Sequence, residues 1–119
     1  MPKRSIKRDK LHLLNIRDSI ERIEGYLRRG GRNGFNDELI FDGIVVQLTV
    51  IAGRLKSLSN SFIKKNPQIP YRKIIGMRNI ISHEYDKIDK SVVWGTCKED
   101  IPELKKIVLE ILKKYSHKK

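Results

Sequence analysis

The sequence predicts an all-α domain, a four- or five-helix up-and-down bundle formed by a single chain of 119 residues. Apolar residues recur at intervals of three and four and almost nowhere alternate, which is the periodicity of helices that each bury one face. Only four prolines and eight glycines are present, so the chain is expected to fold. Hydrophobic residues make up 39% and charged residues 34%, enough for one core in a chain too short for two. One domain spanning 1–119 is expected, with basic, flexible ends at about 1–7 and 116–119.

The first helix is expected from about Arg8 to Arg29, because Leu13, Ile16, Ile20, Ile23 and Leu27 form one stripe. Gly30-Gly31-Arg32-Asn33-Gly34 ends it. Asn36 or Asp37 then caps a second helix running to about Ser59. Its apolar set, Leu39 to Phe41, Ile44 to Val46, Leu48, Val50 to Ala52, Leu55 and Leu58, wraps around most of the helix. A helix apolar on most sides must be covered on most sides, so this one is expected at the centre and against a second subunit. The β-branched density from Ile44 to Ile51 also fits a strand, but the uninterrupted length and the flanks favour helix. Ser59 to Pro70 reads as a polar connector. A third helix follows from Tyr71 to Tyr85, opened by Pro70. A short fourth starts after Asp89, and a fifth takes Asp100 as cap and Pro102 in its first turn, turning Leu104, Ile107, Val108, Ile111, Leu112 and Tyr115 inward.

The formal charge is +12. Residues 1–10 carry five cations and one anion, and residues 113–119 carry four cations and no anion, so two thirds of the excess lies in the ends. Such ends are most often solvated and sometimes act as nucleic-acid arms. No apolar run reaches the roughly 20 residues a membrane span needs. The basic start has no apolar segment behind it, so cytoplasmic residence is expected. Cys97 is the single cysteine and reads as a small buried apolar group. His12 and His117 read as solvated; Tyr26, Tyr71 and Trp94 read as core or interface aromatics. No metal-ligand cluster is apparent, and no cofactor is expected.

The stretch Met77-Arg78-Asn79-Ile80-Ile81-Ser82-His83-Glu84-Tyr85 gathers a permanent cation, an amide, an imidazole and a phenol within nine positions. These groups suit metal-free cleavage of RNA, which carries its own nucleophile in the 2′-hydroxyl. An imidazole titrating near neutrality can move protons, and a guanidinium offers a charged fork of donors to phosphate oxygens. His83 and Arg78 are therefore the candidate catalytic residues, with Asn79 supporting. At about 100° per residue, Arg78, Ser82 and Tyr85 share one face, and Asn79, His83 and Asp86 another. Arg78 and His83 then point about 140° apart, a poor geometry for one phosphate on one straight helix. Either the last turn is distorted or two copies of the helix line one cleft. Lys64, Lys65, Arg72 and Lys73 flank the approach and are offered as RNA-phosphate contacts, against an ordinary solvated loop.

The Arg78, His83 and Tyr85 spacing resembles the signature of the HEPN superfamily, in particular its HepT-like toxin ribonucleases. The likeness extends to Ile69-Pro70-Tyr71-Arg72-Lys73-Ile74-Ile75-Gly76 upstream, where the aromatic after proline is more often Trp. Downstream it includes Ile88-Asp89, Val92-Val93-Trp94 and Asp100-Ile101-Pro102-Glu103-Leu104, so that it covers about Ile6 to Tyr115. The resemblance implies a HEPN-like bundle, a homodimer with motif helices at the interface, and an RNA substrate, with tRNA a first one to try. It also implies a cognate minimal, MntA-like nucleotidyltransferase antitoxin that places AMP from ATP on Tyr85. One departure stands out: many relatives carry Gly-Glu near Ala52-Gly53, where this chain has no carboxylate. A non-catalytic HEPN subunit serving a nucleotidyltransferase is the alternative reading, and a basic bundle that binds nucleic acid without chemistry is a third.

Overall fold

Two long helices packed antiparallel form the spine of the molecule, and their register is set by three cross-contacts. The computed structural model describes residues 3–30, 37–84 and 88–117. Helix α1 spans Lys3–Gly30 and α2 spans Glu38–Lys56. His12 meets Arg54, Tyr26 meets Gly43 and Gly30 meets Ile40, so rising numbers on α1 match falling numbers on α2. The expected stripe Leu13, Ile16, Ile20 and Ile23 is fully buried, with Leu27 packed at its edge. Helix α1 begins five residues earlier than the apolar pattern predicts.

Asp37 caps α2, its carboxylate accepting from the Leu39 and Ile40 amides at 2.9 and 3.3 Å. Asn36, the other cap considered, lies outside the described residues. Phe41, Ile44, Val45, Leu48, Ile51, Ala52 and Leu55 are buried. Leu39, Val46 and Val50 are not: 83%, 56% and 38% of their surfaces remain open in the single chain. The connector expected at Ser59–Pro70 holds a short helix, α3, over Asn60–Lys65, with the Ser59 hydroxyl accepting from the Phe62 amide. Helix α4 spans Tyr71–Glu84 and runs back along α2; Tyr85 lies outside the described residues.

The largest difference from the sequence reading is at Asp100. It caps nothing. Helix α5 (Lys90–Gly95), capped by Asp89, continues through a π-helical turn at Thr96–Asp100 directly into α6 (Ile101–His117). Pro102 explains the turn. Proline has no N–H to give, and its ring crowds the carbonyl four residues back, so a helix that continues through it must widen there. Thr96, Cys97 and Asp100 are buried in the widened turn. The Asp100 carboxylate instead lies 3.6 Å from the Lys73 ammonium. Helix α6 returns antiparallel to α1, tied by Lys105 to Glu24 at 2.8 Å, and buries Leu104, Val108, Ile111 and Leu112. The architecture is thus all-α, as expected, with α1, α2, α4 and α6 as the main helices and no strand among the described residues.

Candidate active site on helix α4

Helix α4 is positioned by what precedes it and by what it buries. The Pro70 carbonyl accepts from the Ile74 amide at 3.3 Å, and the Tyr71 amide bonds to Ile69 at 2.8 Å, closing the entry turn. Ile74, Met77 and Ile81 are buried toward α2. With that stripe as the inner line of the helix, the other positions follow from 100° per residue. Arg72, Gly76, Asn79 and His83 fall on the line pointing most directly away from the core. Arg78 falls on the flank with Ser82.

Exposure agrees with that geometry. Arg72, Asn79 and His83 are exposed, while Arg78 is half-buried. Gly76, midway along the outer line, has no neighbour within 4 Å of where a Cβ would sit. The helix remains α-helical through Glu84, so a distorted turn between Arg78 and His83 does not bring them together within the described residues. The described ion pairs leave both residues unengaged. Tyr85, the third member of the motif, lies beyond the described stretch.

The other residues singled out by sequence separate in space. Arg72 and Lys73 lie in the first turn of α4, and Lys64 and Lys65 end α3. All four are exposed, Lys73 leaning toward Asp100. From Arg72 to His83 the outer line of α4 is about 16 Å long at 1.5 Å per residue. Among the described residues no group of three His, Cys, Asp or Glu side chains is arranged to hold a metal ion, and no helix is long and apolar enough to cross a membrane. Tyr26, Tyr71 and Trp94 pack against the core, and Cys97 is buried.

Two features escaped the sequence reading. His12 is half-buried rather than freely solvated, and its Nδ1 lies 3.2 Å from the Arg54 guanidinium. Arginine has only donors to give, so Nδ1 must accept and the ring must be neutral. The second is a network at the far end of the bundle from the motif. Asp9, 2% exposed, accepts from the Ser59 amide at 2.9 Å and the Ser59 hydroxyl at 2.6 Å. Beside it the Tyr71 hydroxyl donates to the Asn66 carbonyl at 2.9 Å, and burial, together with the Asp9 charge, pushes that phenol up to about 12. A basic and polar N-terminal stretch gave no sign that one of its residues, Asp9, was a core acid.

Comparison with known proteins decides the family. The Ribonuclease HepT-like family model matches residues 16–111, most of the chain. The chain belongs to the HepT-like ribonuclease family. Its relatives include a "Putative RNase" of Methanocaldococcus jannaschii, 33% identical over 104 residues, covering 86% of this chain and 95% of that protein. A "Probable ribonuclease HepT" of Thermococcus cleftensis is 35% identical over 95 residues, covering 79% and 86%. A "Putative RNase" of Caldanaerobacter subterraneus subsp. tengcongensis is 34% identical over 95 residues, covering 80% and 82%. No solved structure matches significantly. The HepT-like match spans α4 completely, together with α2 and the greater part of α1 and α6.

Proposed function

We propose that this HepT-like chain is the toxin of a HEPN/MNT module, a cytoplasmic, metal-independent endoribonuclease that works as a homodimer. The observation that carries the reading is the placement of the motif on α4. His83 and Asn79 stand on the outermost line of a regular helix and Arg78 on its flank, half-buried. A site of this kind is half a site. Pairing α4 with its copy sets Arg78 of one protomer and His83 of the other on one phosphate, and the open apolar residues Leu39, Val46, Val50 and Ile80 supply a surface for that pairing.

In the cleft, His83 takes the proton of the 2′-hydroxyl, whose oxygen attacks the adjacent phosphorus. Arg78 donates to the phosphoryl oxygens as charge builds on them, and Asn79 positions the phosphate. The 5′-oxygen leaves with a proton from the solvent or from the second His83. The products are a 2′,3′-cyclic phosphate and a 5′-hydroxyl. Arg72 and Lys73 sit where the strand would enter along the same helix. Tyr85 is the control point: a nucleotidyltransferase partner transfers AMP from ATP to its phenolic oxygen, releasing pyrophosphate. The added phosphate and adenosine then block the cleft by charge and bulk.

The test uses purified chain, RNA and a chelator. His83→Ala is expected to reduce cleavage on the order of 10²- to 10⁴-fold, the range for loss of a general acid or base, while its melting temperature stays unchanged because the side chain is exposed. Cleavage that persists in this variant rejects the assignment. Mass analysis of the Tyr85 peptide from protein made with its partner reads the second half of the proposal. The absent carboxylate at Ala52-Gly53 favours one other reading, a non-catalytic HEPN subunit that binds a nucleotidyltransferase. Under it, wild-type chain leaves RNA intact yet forms the complex.

A further inference from the structure

Among the described residues, positive charge gathers at the end of the bundle remote from His83. Helix α1 begins and α6 finishes at this end, so Arg4, Lys7, Arg8 and Lys10 of the one and Lys113 and Lys114 of the other converge there. A cavity of about 330 Å³ opens between them, lined by Ile6, Asp9, Phe62, Lys65, Asn66, Ile111, Lys114 and Tyr115. Its lining divides by chemistry. Ile6, Phe62, Ile111 and the Tyr115 ring form an apolar cleft, and Lys65 and Lys114, both exposed, hold its rim. Asp9 and Asn66 supply polar groups within. Each Asp9 oxygen already accepts from Ser59 and retains a second lone pair. The Tyr115 phenol is raised by burial and by the Asp9 charge, which places ring and carboxylate within each other's field.

We propose that this end is an RNA-docking site separate from the α4 motif, where a single-stranded segment lays phosphates on Lys65 and Lys114 and seats one base in the cavity. The inference rests on the ribonuclease reading for its partner. Charge complementarity selects a polyanion, and the apolar, aromatic cleft behind the cations selects one whose flat rings can leave the stack. Asp9, the acid among the described lining residues, selects further. A carboxylate accepts from the exocyclic amine of cytosine, adenine or guanine, whereas uracil offers a carbonyl there. From Tyr71, bonded to the cavity residue Asn66, α4 runs about 18 Å to His83. An RNA must therefore be several nucleotides long to engage both sites, and the docking end favours extended single strands over short fragments.

Binding is measured by fluorescence anisotropy in the full-length His83→Ala protein, with labelled oligocytidylate long enough to span both sites, across a series of salt concentrations. Lys65→Ala with Lys114→Ala is expected to weaken binding on the order of tenfold and to reduce the log–log salt slope by about 1.4, since each single-strand phosphate contact contributes about 0.7. The same loss of charge at Lys98 and Lys106, which do not line the cavity, changes affinity much less. Oligouridylate of equal length and charge binds several-fold more weakly than oligocytidylate. The proposal is overturned if the cavity variant matches the control variant, or if the two oligonucleotides bind alike. Because binding is read in protein lacking His83, the result is independent of cleavage. A chain that binds as expected but never cuts loses the ribonuclease and keeps the docking site.

Discussion

His12 shows how one side chain couples folding to pH. Burial lowers its pKa below the usual 6.5, and the Arg54 guanidinium adds to the effect against the opposing charge of Asp9. Folding thus favours the neutral ring, and between the lowered value and about 6.5 the unfolded chain binds more protons than the folded one. Stability from this residue is complete above about 6.5 and is lost as the pH falls through the folded-state value. Thermal melts are expected to drop in temperature below about pH 6.5, and to drop less steeply in His12→Gln, whose amide oxygen still accepts from Arg54. An equal slope in both proteins would assign the acid sensitivity elsewhere. The partner of His12 lies 42 residues away, on a different helix, which is why the sequence showed only a histidine among polar neighbours. Arg78 and His83 were legible for the opposite reason, since their separation depends on nothing beyond helical geometry.

At the level of elements, the α1–α2 seam depends on one missing side chain. A Cβ at Gly43 would lie 2.7 Å from the Tyr26 ring, closer than real contacts allow. Gly43→Ala is expected to destabilise by about 1–3 kcal/mol, as overpacking does, and the penalty should vanish in a Tyr26→Leu background where the ring is gone. Gly95→Ala, with open space around its Cβ, should instead stabilise by about 0.4–1 kcal/mol; urea melts of the variants measure both. The main helices followed from periodicity and the Asp37 and Asp89 caps from residue type, whereas α3, too short to show a period, did not. Nor did the π-helical turn. Asp100 followed two residues later by Pro102 has the local pattern of a helix start, and the burial of Thr96 and Cys97 in the widened turn, where the helix continues instead, is tertiary packing that no local pattern shows. The cavity was equally invisible, because Ile6, Phe62 and Tyr115 come from three elements that no local pattern joins.

For the whole molecule, the question is what covers α2. Leu39, Val46 and Val50 fall seven and four residues apart on one line, and Ile80 of the neighbouring α4 is open as well. Under the proposed pairing, Val46→Asp places a charge in the interface while leaving the single-chain core untouched. Light scattering is expected to report a monomer with unchanged helicity, and RNA cleavage should fall with the dimer; a monomer that cleaves at the wild-type rate would sever the link between pairing and chemistry. The molecule also carries its own reporter of opening. Cys97 is the chain's single thiol, 3% exposed, and burial pushes its pKa up to about 12. An alkylating reagent meets neither surface nor thiolate until the packing between α4 and the π-helical turn gives way. The rate at which label enters is therefore a clock for that event, requiring no engineered probe.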